Sequence, residues 1–123
     1  MKNCLPILFL VFFCSGCHKE GVDLKEYPEL VGDYDWTYSL MSMKTIYSLE
    51  NTDYQFGIRL KKNGRVFLYE HGKLVGEGYV YKVSKNPLEI RVGGSSHFFS
   101  VSKDGLVSTG YPFNAISNNF QKK

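Results

Sequence analysis

The stretch from Tyr54 to Val83, YQFGIRLKKNGRVFLYEHGKLVGEGYVYKV, constrains this chain more than any other. Tyr54, Phe56, Ile58 and Leu60 alternate with Gln55, Gly57, Arg59 and Lys61. A period of two is the mark of a half-buried strand, one face dry and one wet. Lys62-Asn63-Gly64 comes next. Asn and Gly both tolerate the positive φ of a tight hairpin with primed-turn geometry. From Arg65 to Glu70, Val66 and Leu68 share one face while Phe67 and Tyr69 share the other. Apolar groups on both faces predict a central strand, or one whose outer face is covered. His71-Gly72-Lys73 is a second turn. The third strand is predicted with Val75, Tyr79, Tyr81 and Val83 on one face, punctuated by Gly76 and Gly78. Glycines inside a strand mark bulges or barrel corners. Such a meander is the unit of an up-and-down barrel, and a flat sheet packed on a second sheet is the alternative.

The first seventeen residues predict a location. Lys2 supplies a positive start, Leu5 to Phe13 is unbroken apolar sequence, and Cys14-Ser15-Gly16-Cys17 closes it. The run is well short of the ~20 apolar residues of a membrane-spanning helix. A basic start, a short apolar run and small residues before a cut site describe a secretory signal. Ser15 and Gly16 directly before Cys17 resemble the bacterial lipobox, with Cys14 at the usual aliphatic position. That resemblance implies cleavage after residue 16, acylation of Cys17, and anchoring to an envelope membrane, expected to be the outer membrane. Two or more acyl chains make such anchoring stable. The domain left behind then contains no cysteine, so neither a disulfide nor a thiolate metal site can support it.

The remaining segments obey the same grammar. Residues 17–29 are expected to be the acylated cysteine and a flexible polar tether, and 30–123 the folded domain. Tyr34, Trp36, Tyr38 and Leu40 alternate with polar residues and predict a strand with a heavy aromatic face. Ile46 and Tyr47 fit a short edge strand. Leu88 to Val92, His97 to Val101, Leu106 to Thr109 and Asn114 to Phe120 complete a count of about eight strands at regular spacing. The reading is all-β: a small antiparallel up-and-down barrel of about eight strands, lipocalin-like in form.

Family resemblance adds to this. Leu30-Val31-Gly32-Asp33-Tyr34-Asp35-Trp36, the Lys61-Lys62-Asn63-Gly64 turn, the His71-Gly72-Lys73 turn and Gly78-Tyr79-Val80-Tyr81 resemble the opening motif and hairpins of small bacterial lipocalin-like lipoproteins of the Bacteroidetes type. The resemblance implies a barrel with a central cavity. Tyr34, Trp36, Tyr38, Phe56, Tyr79 and Tyr81 are therefore candidate ligand-binding residues, with a filled core as the alternative use of the same side chains.

Composition narrows the chemistry. The net charge is +3 at pH 7 with His neutral, and no basic run exceeds two residues. Nucleic-acid binding needs a clustered patch and is not expected. His18, His71 and His97 lie far apart in sequence without cysteines or paired carboxylates, so neither a metal nor a cofactor is implied. Ser95, Ser96, His97 and Asp104 lack a nucleophile elbow, and no enzymatic activity is expected. Two functions remain. One is a binding module for a small apolar or amphipathic molecule. The other is a protein-interaction module, using a sheet edge or the loops 41–53 and 93–96.

Overall fold

The computed structural model describes residues 21–84 and 86–123. The signal segment, Cys17 and His18 lie outside them. Among the described residues, nine strands form one antiparallel sheet: β1 (Gly32–Ser42), β2 (Thr45–Ser48), β3 (Phe56–Leu60), β4 (Arg65–Glu70), β5 (Lys73–Lys82), β6 (Leu88–Val92), β7 (Ser95–Ser102), β8 (Gly105–Ser108) and β9 (Ser117–Lys122). Each strand from β3 onward pairs with the next, and β9 pairs back onto β1, closing an eight-position barrel. β2 and β3 share one position. The lower half of β1, Gly32 to Asp35, pairs with β3, and its upper half, Tyr38 to Ser42, pairs with β2.

The inward side chains form one continuous cluster. It includes Tyr34 and Trp36 from β1, Phe56, Ile58 and Leu60 from β3, Val66 and Leu68 from β4, and Phe99 and Phe120 from β7 and β9. The outer face of β4 is covered, as its apolar residues demand. The Arg59 guanidinium lies 5.4 Å from the Tyr69 ring and that of Arg65 lies 5.8 Å from Phe67. A flexible cation stem over an aromatic ring hides apolar area without leaving water.

In β5 the facing is the reverse of that expected for a Tyr79 and Tyr81 lining. Two extra residues, Val75 and Tyr81, interrupt its ladders to β4 and β6. Between them Gly76, Gly78 and Val80 point inward, opposite Leu68, Val66 and Ile90. Val75 and Tyr81 are exposed. A side chain at position 78 would meet the Arg91 carbonyl, so a glycine is needed where β5 and β6 close up.

Turn chemistry is redistributed as well. The primed geometry expected at Asn63-Gly64 occurs instead at His71-Gly72, where both φ are positive, 52° and 80°. At the first hairpin only Gly64 has positive φ, and its N–H donates to the Lys61 carbonyl at 2.9 Å. That pattern is a turn followed by a glycine bulge. The expected loop 93–96 shrinks to a tight two-residue turn, Gly93-Gly94, between Val92 and Ser95, with Ser95 and Ser96 already paired in β7.

The predicted tether is also revised, for residues 21–29. The Val22 N–H donates to the Val80 carbonyl and the Leu24 N–H to the Lys62 carbonyl, both at 2.8 Å. Leu24 is completely buried, and a 3₁₀ turn at Pro28–Leu30 places Leu30 in the same core. The segment crosses the lower end of the barrel and seals it. Its polar composition hid this, because two leucines suffice for the seal.

Candidate functional site

Of the six candidate aromatics, the barrel brings together three. Tyr34, Trp36 and Phe56 are buried in the interior. The Tyr34 hydroxyl donates to the Leu30 carbonyl at 2.9 Å, and burial, with the charge of Glu29, pushes its pKa up to about 12. Tyr38, Tyr79 and Tyr81 lie on the outside. In β1 the cause is a bulge at Thr37: Trp36 faces Phe120, yet Tyr38 faces Asn119, so one residue is left over. Parity then inverts, and Ser39 takes the inner place expected of Tyr38. Tyr79 sits between Arg65 and Arg91 on the outer face, and Arg91 stacks 3.3 Å over Tyr81.

Ser39 begins a buried polar chain that alternation could not forecast. The Trp36 Nε1–H donates to Ser39 Oγ at 2.7 Å, and Ser39 Oγ donates to Asn118 Oδ1 at 2.6 Å. Asn118 Nδ2 donates to the Phe113 carbonyl at 2.7 Å and reaches Ser108 Oγ, which donates to the Tyr111 carbonyl. Among the described residues every buried side-chain polar atom has a partner. The network holds the loop 109–116 across the upper mouth. Phe113 packs against Tyr54 at 4.8 Å and Trp36 at 5.7 Å, and Tyr111 against His97 at 4.2 Å and Phe56 at 5.3 Å. Burial raises the pKa of Tyr54, helped by Glu70, whose Oε2 accepts from its hydroxyl at 3.3 Å. Burial lowers that of His97. Both barrel ends are thus closed and the space between them is lined by packed side chains.

A groove lies on the outer wall. It has a volume of about 490 Å³ and runs along the seam where β2 and β3 part. Cross-strand register builds it. Asp35, Gly57 and Tyr69 form one row across β1, β3 and β4, and Asp33, Arg59 and Phe67 form the next. Gly57 leaves the floor bare between a carboxylate and a phenol. Gln55, Leu49, Gly72 and Lys123 stand around it, and Tyr34, Trp36, Phe56 and Ile58, buried residues of β1 and β3, also contribute to its lining. Asp33 Oδ1 pairs with Arg59 Nε at 2.7 Å and Asp35 Oδ2 with Lys123 Nζ at 3.4 Å. The ladders leave Trp36 and Thr37 without a partner in β2 or β3, which is what opens the wall here. The sequence held one signal of this site: a glycine on the wet face of an otherwise alternating strand.

The free edge of β2 is guarded. Asn51 Nδ2 donates to the Ile46 carbonyl and its Oδ1 accepts from the Ser48 N–H, both at 2.8 Å. One amide side chain thus stands where a neighbouring strand would bond, a device that discourages edge pairing. Among the described residues, no three His, Cys, Asp or Glu side chains are placed to hold a metal ion.

Compared with known proteins, the chain matches no family profile, no curated sequence and no solved structure.

Proposed function

We propose that the protein is an exported lipoprotein, anchored through acyl chains on Cys17, that acts as a binding module for a small molecule. Its barrel is a packed scaffold and its site is the groove on the outer wall. The observation that carries this reading is the contrast between an interior closed at both ends and a half-open groove of about 490 Å³. That volume lies within the ~300–1,000 Å³ of small-molecule sites. Cys17 precedes Gly21 by four residues, a reach of at most ~14 Å. Acylation would hold the sealed lower end close to the bilayer and direct the upper loops away from it. The lipocalin-like resemblance supports the same reading of location and shape.

Two experiments test it. Cys17→Ala should abolish palmitate labelling and release the protein from the membrane fraction; labelling that survives would end the lipoprotein reading. Native mass spectrometry of the protein extracted from its own membranes should retain a small molecule in the wild type and lose it in Gly57→Val. A Cβ at position 57 would make only ordinary contacts, 3.5 Å from Asp35 Oδ1 and 3.6 Å from the Tyr34 carbonyl, so that variant should fold. A molecule retained equally by both proteins would move the site away from the groove.

One observation favours a second reading, a protein-interaction module. Met43 at the β1–β2 turn is 92% exposed, and Ile46 and Leu49 beside it are about half exposed. Contact would come through this apolar tip, since Asn51 occupies the strand edge.

A further inference from the structure

We infer that the outer-wall groove binds a neutral, polyhydroxylated ligand, a saccharide. The inference rests on the reading of the groove as the binding site and adds the ligand's chemical class. Charge within the groove is balanced: Asp33 answers Arg59 and Asp35 answers Lys123. Side chains paired in this way leave little charge free to draw in an ion. An apolar ligand faces a different cost, since it would strip water from two ion pairs and offer them nothing in return. A ligand rich in hydroxyls does neither.

The polar groups are also of the right kind. A carboxylate has about four acceptor positions and a guanidinium five N–H donors. The Asp33–Arg59 pair uses only two of each, at 2.7 and 3.5 Å. Neighbouring hydroxyls on a sugar ring can donate to the two oxygens of one carboxylate and accept from one guanidinium. Asp35 and Asp33 present such carboxylates on adjacent rows of one strand, and the Gln55 amide supplies both donor and acceptor at the upper edge. Gly57 lets a ring approach the backbone, and Tyr69 forms an aromatic side wall. Displaced water is replaced bond for bond, which is the condition for net affinity in a polar site.

The test uses the full chain, ¹⁵N-labelled, in a detergent without a sugar headgroup. Maltotriose, cellotriose and the trimer of N-acetylglucosamine are titrated in turn, with palmitate as the apolar probe. At least one saccharide should saturate with a Kd of about 1 mM or tighter, shifting the amide signals of Asp35, Gly57 and Tyr69. Gly57→Val should weaken it at least tenfold, and Asp35→Asn severalfold, with the rest of the spectrum unchanged. Groove signals that move with palmitate and with no saccharide would overturn the ligand class while keeping the groove as the site. Saturation that shifts interior residues around Phe99, or that survives Gly57→Val, would overturn the groove itself. Flat titrations with all four probes would overturn the saccharide inference.

Discussion

The two ends of the barrel are closed by different means. The lower end is sealed by main chain. Residues 21–30 dock onto β5 and the β3–β4 turn through backbone hydrogen bonds, and Leu24 is completely buried beneath them. The upper end is closed by side chains. Tyr111 and Phe113 are only partly buried, and a relay from Trp36 to Ser108 holds their loop. A backbone seal opens only when ladder bonds break. An aromatic lid can lift at the cost of ring contacts and two side-chain hydrogen bonds to the Tyr111 and Phe113 carbonyls, while the backbone bond from the Ile116 N–H to the Leu40 carbonyl holds the end of its loop. The lower end is therefore part of the folding unit, and the upper end is the less stable closure.

Leu24→Ala bears hardest on this difference between the ends. If the seal belongs to the core, the change should cost about 2–5 kcal/mol, the range for a buried leucine. Urea unfolding measures it; a loss under about 0.5 kcal/mol would return residues 21–29 to the role of a tether.

Gly64→Val comes next. Gly64 has φ of +87°, and a Cβ there would run into the Val22 carbonyl. Left-handed strain of about 1–2 kcal/mol plus displacement of the seal should total about 2–4 kcal/mol. Gly94→Val shares the strain, at φ of +83°, but has open space around it. It should cost only about 1–2 kcal/mol, and equal costs would show that position 64 does not support the seal.

At the upper end, Phe113→Ala should cost about 1–2 kcal/mol, less than full burial would give. It should raise exchange of amide protons in the loop 109–116 while leaving residues 21–30 protected. Uniform loss of protection would mean that the two ends open together.

Acid should have the smallest effect. Burial lowers the pKa of His97 in the folded state. Its contribution is therefore present above the unfolded value of about 6.5 and is lost as pH falls through the folded one. Mild acid should loosen the lid, where His97 meets Tyr111, before it touches the lower seal. For Tyr34 the sign reverses: a pKa raised to about 12 gives stability present below about 10 and lost as pH climbs toward 12. Amide exchange across pH 5–7 would rank the two closures, and seal residues that respond before the lid would reverse the order.

Much of the barrel was determined by the sequence itself. The alternation of Phe56, Ile58 and Leu60, and of Leu88 and Ile90, sets which side of each strand is dry, because successive side chains must point oppositely. The hairpin turns and strand order come from short polar breaks between such runs. Tertiary structure alone decided where alternation fails. Closing the sheet required extra residues at Thr37, Val75 and Tyr81, and each bulge flips the facing of the residues beyond it. The bulge at Thr37 is why Tyr38 lies outside while Ser39 joins Trp36 within. The groove has the same origin. Asp35, Gly57, Arg59 and Tyr69 are ordinary wet-face residues on separate strands, and only register makes them neighbours. A strand's own sequence encodes its two faces; which residues stand side by side across the wall is set by pairing between strands, and no single strand carries that information.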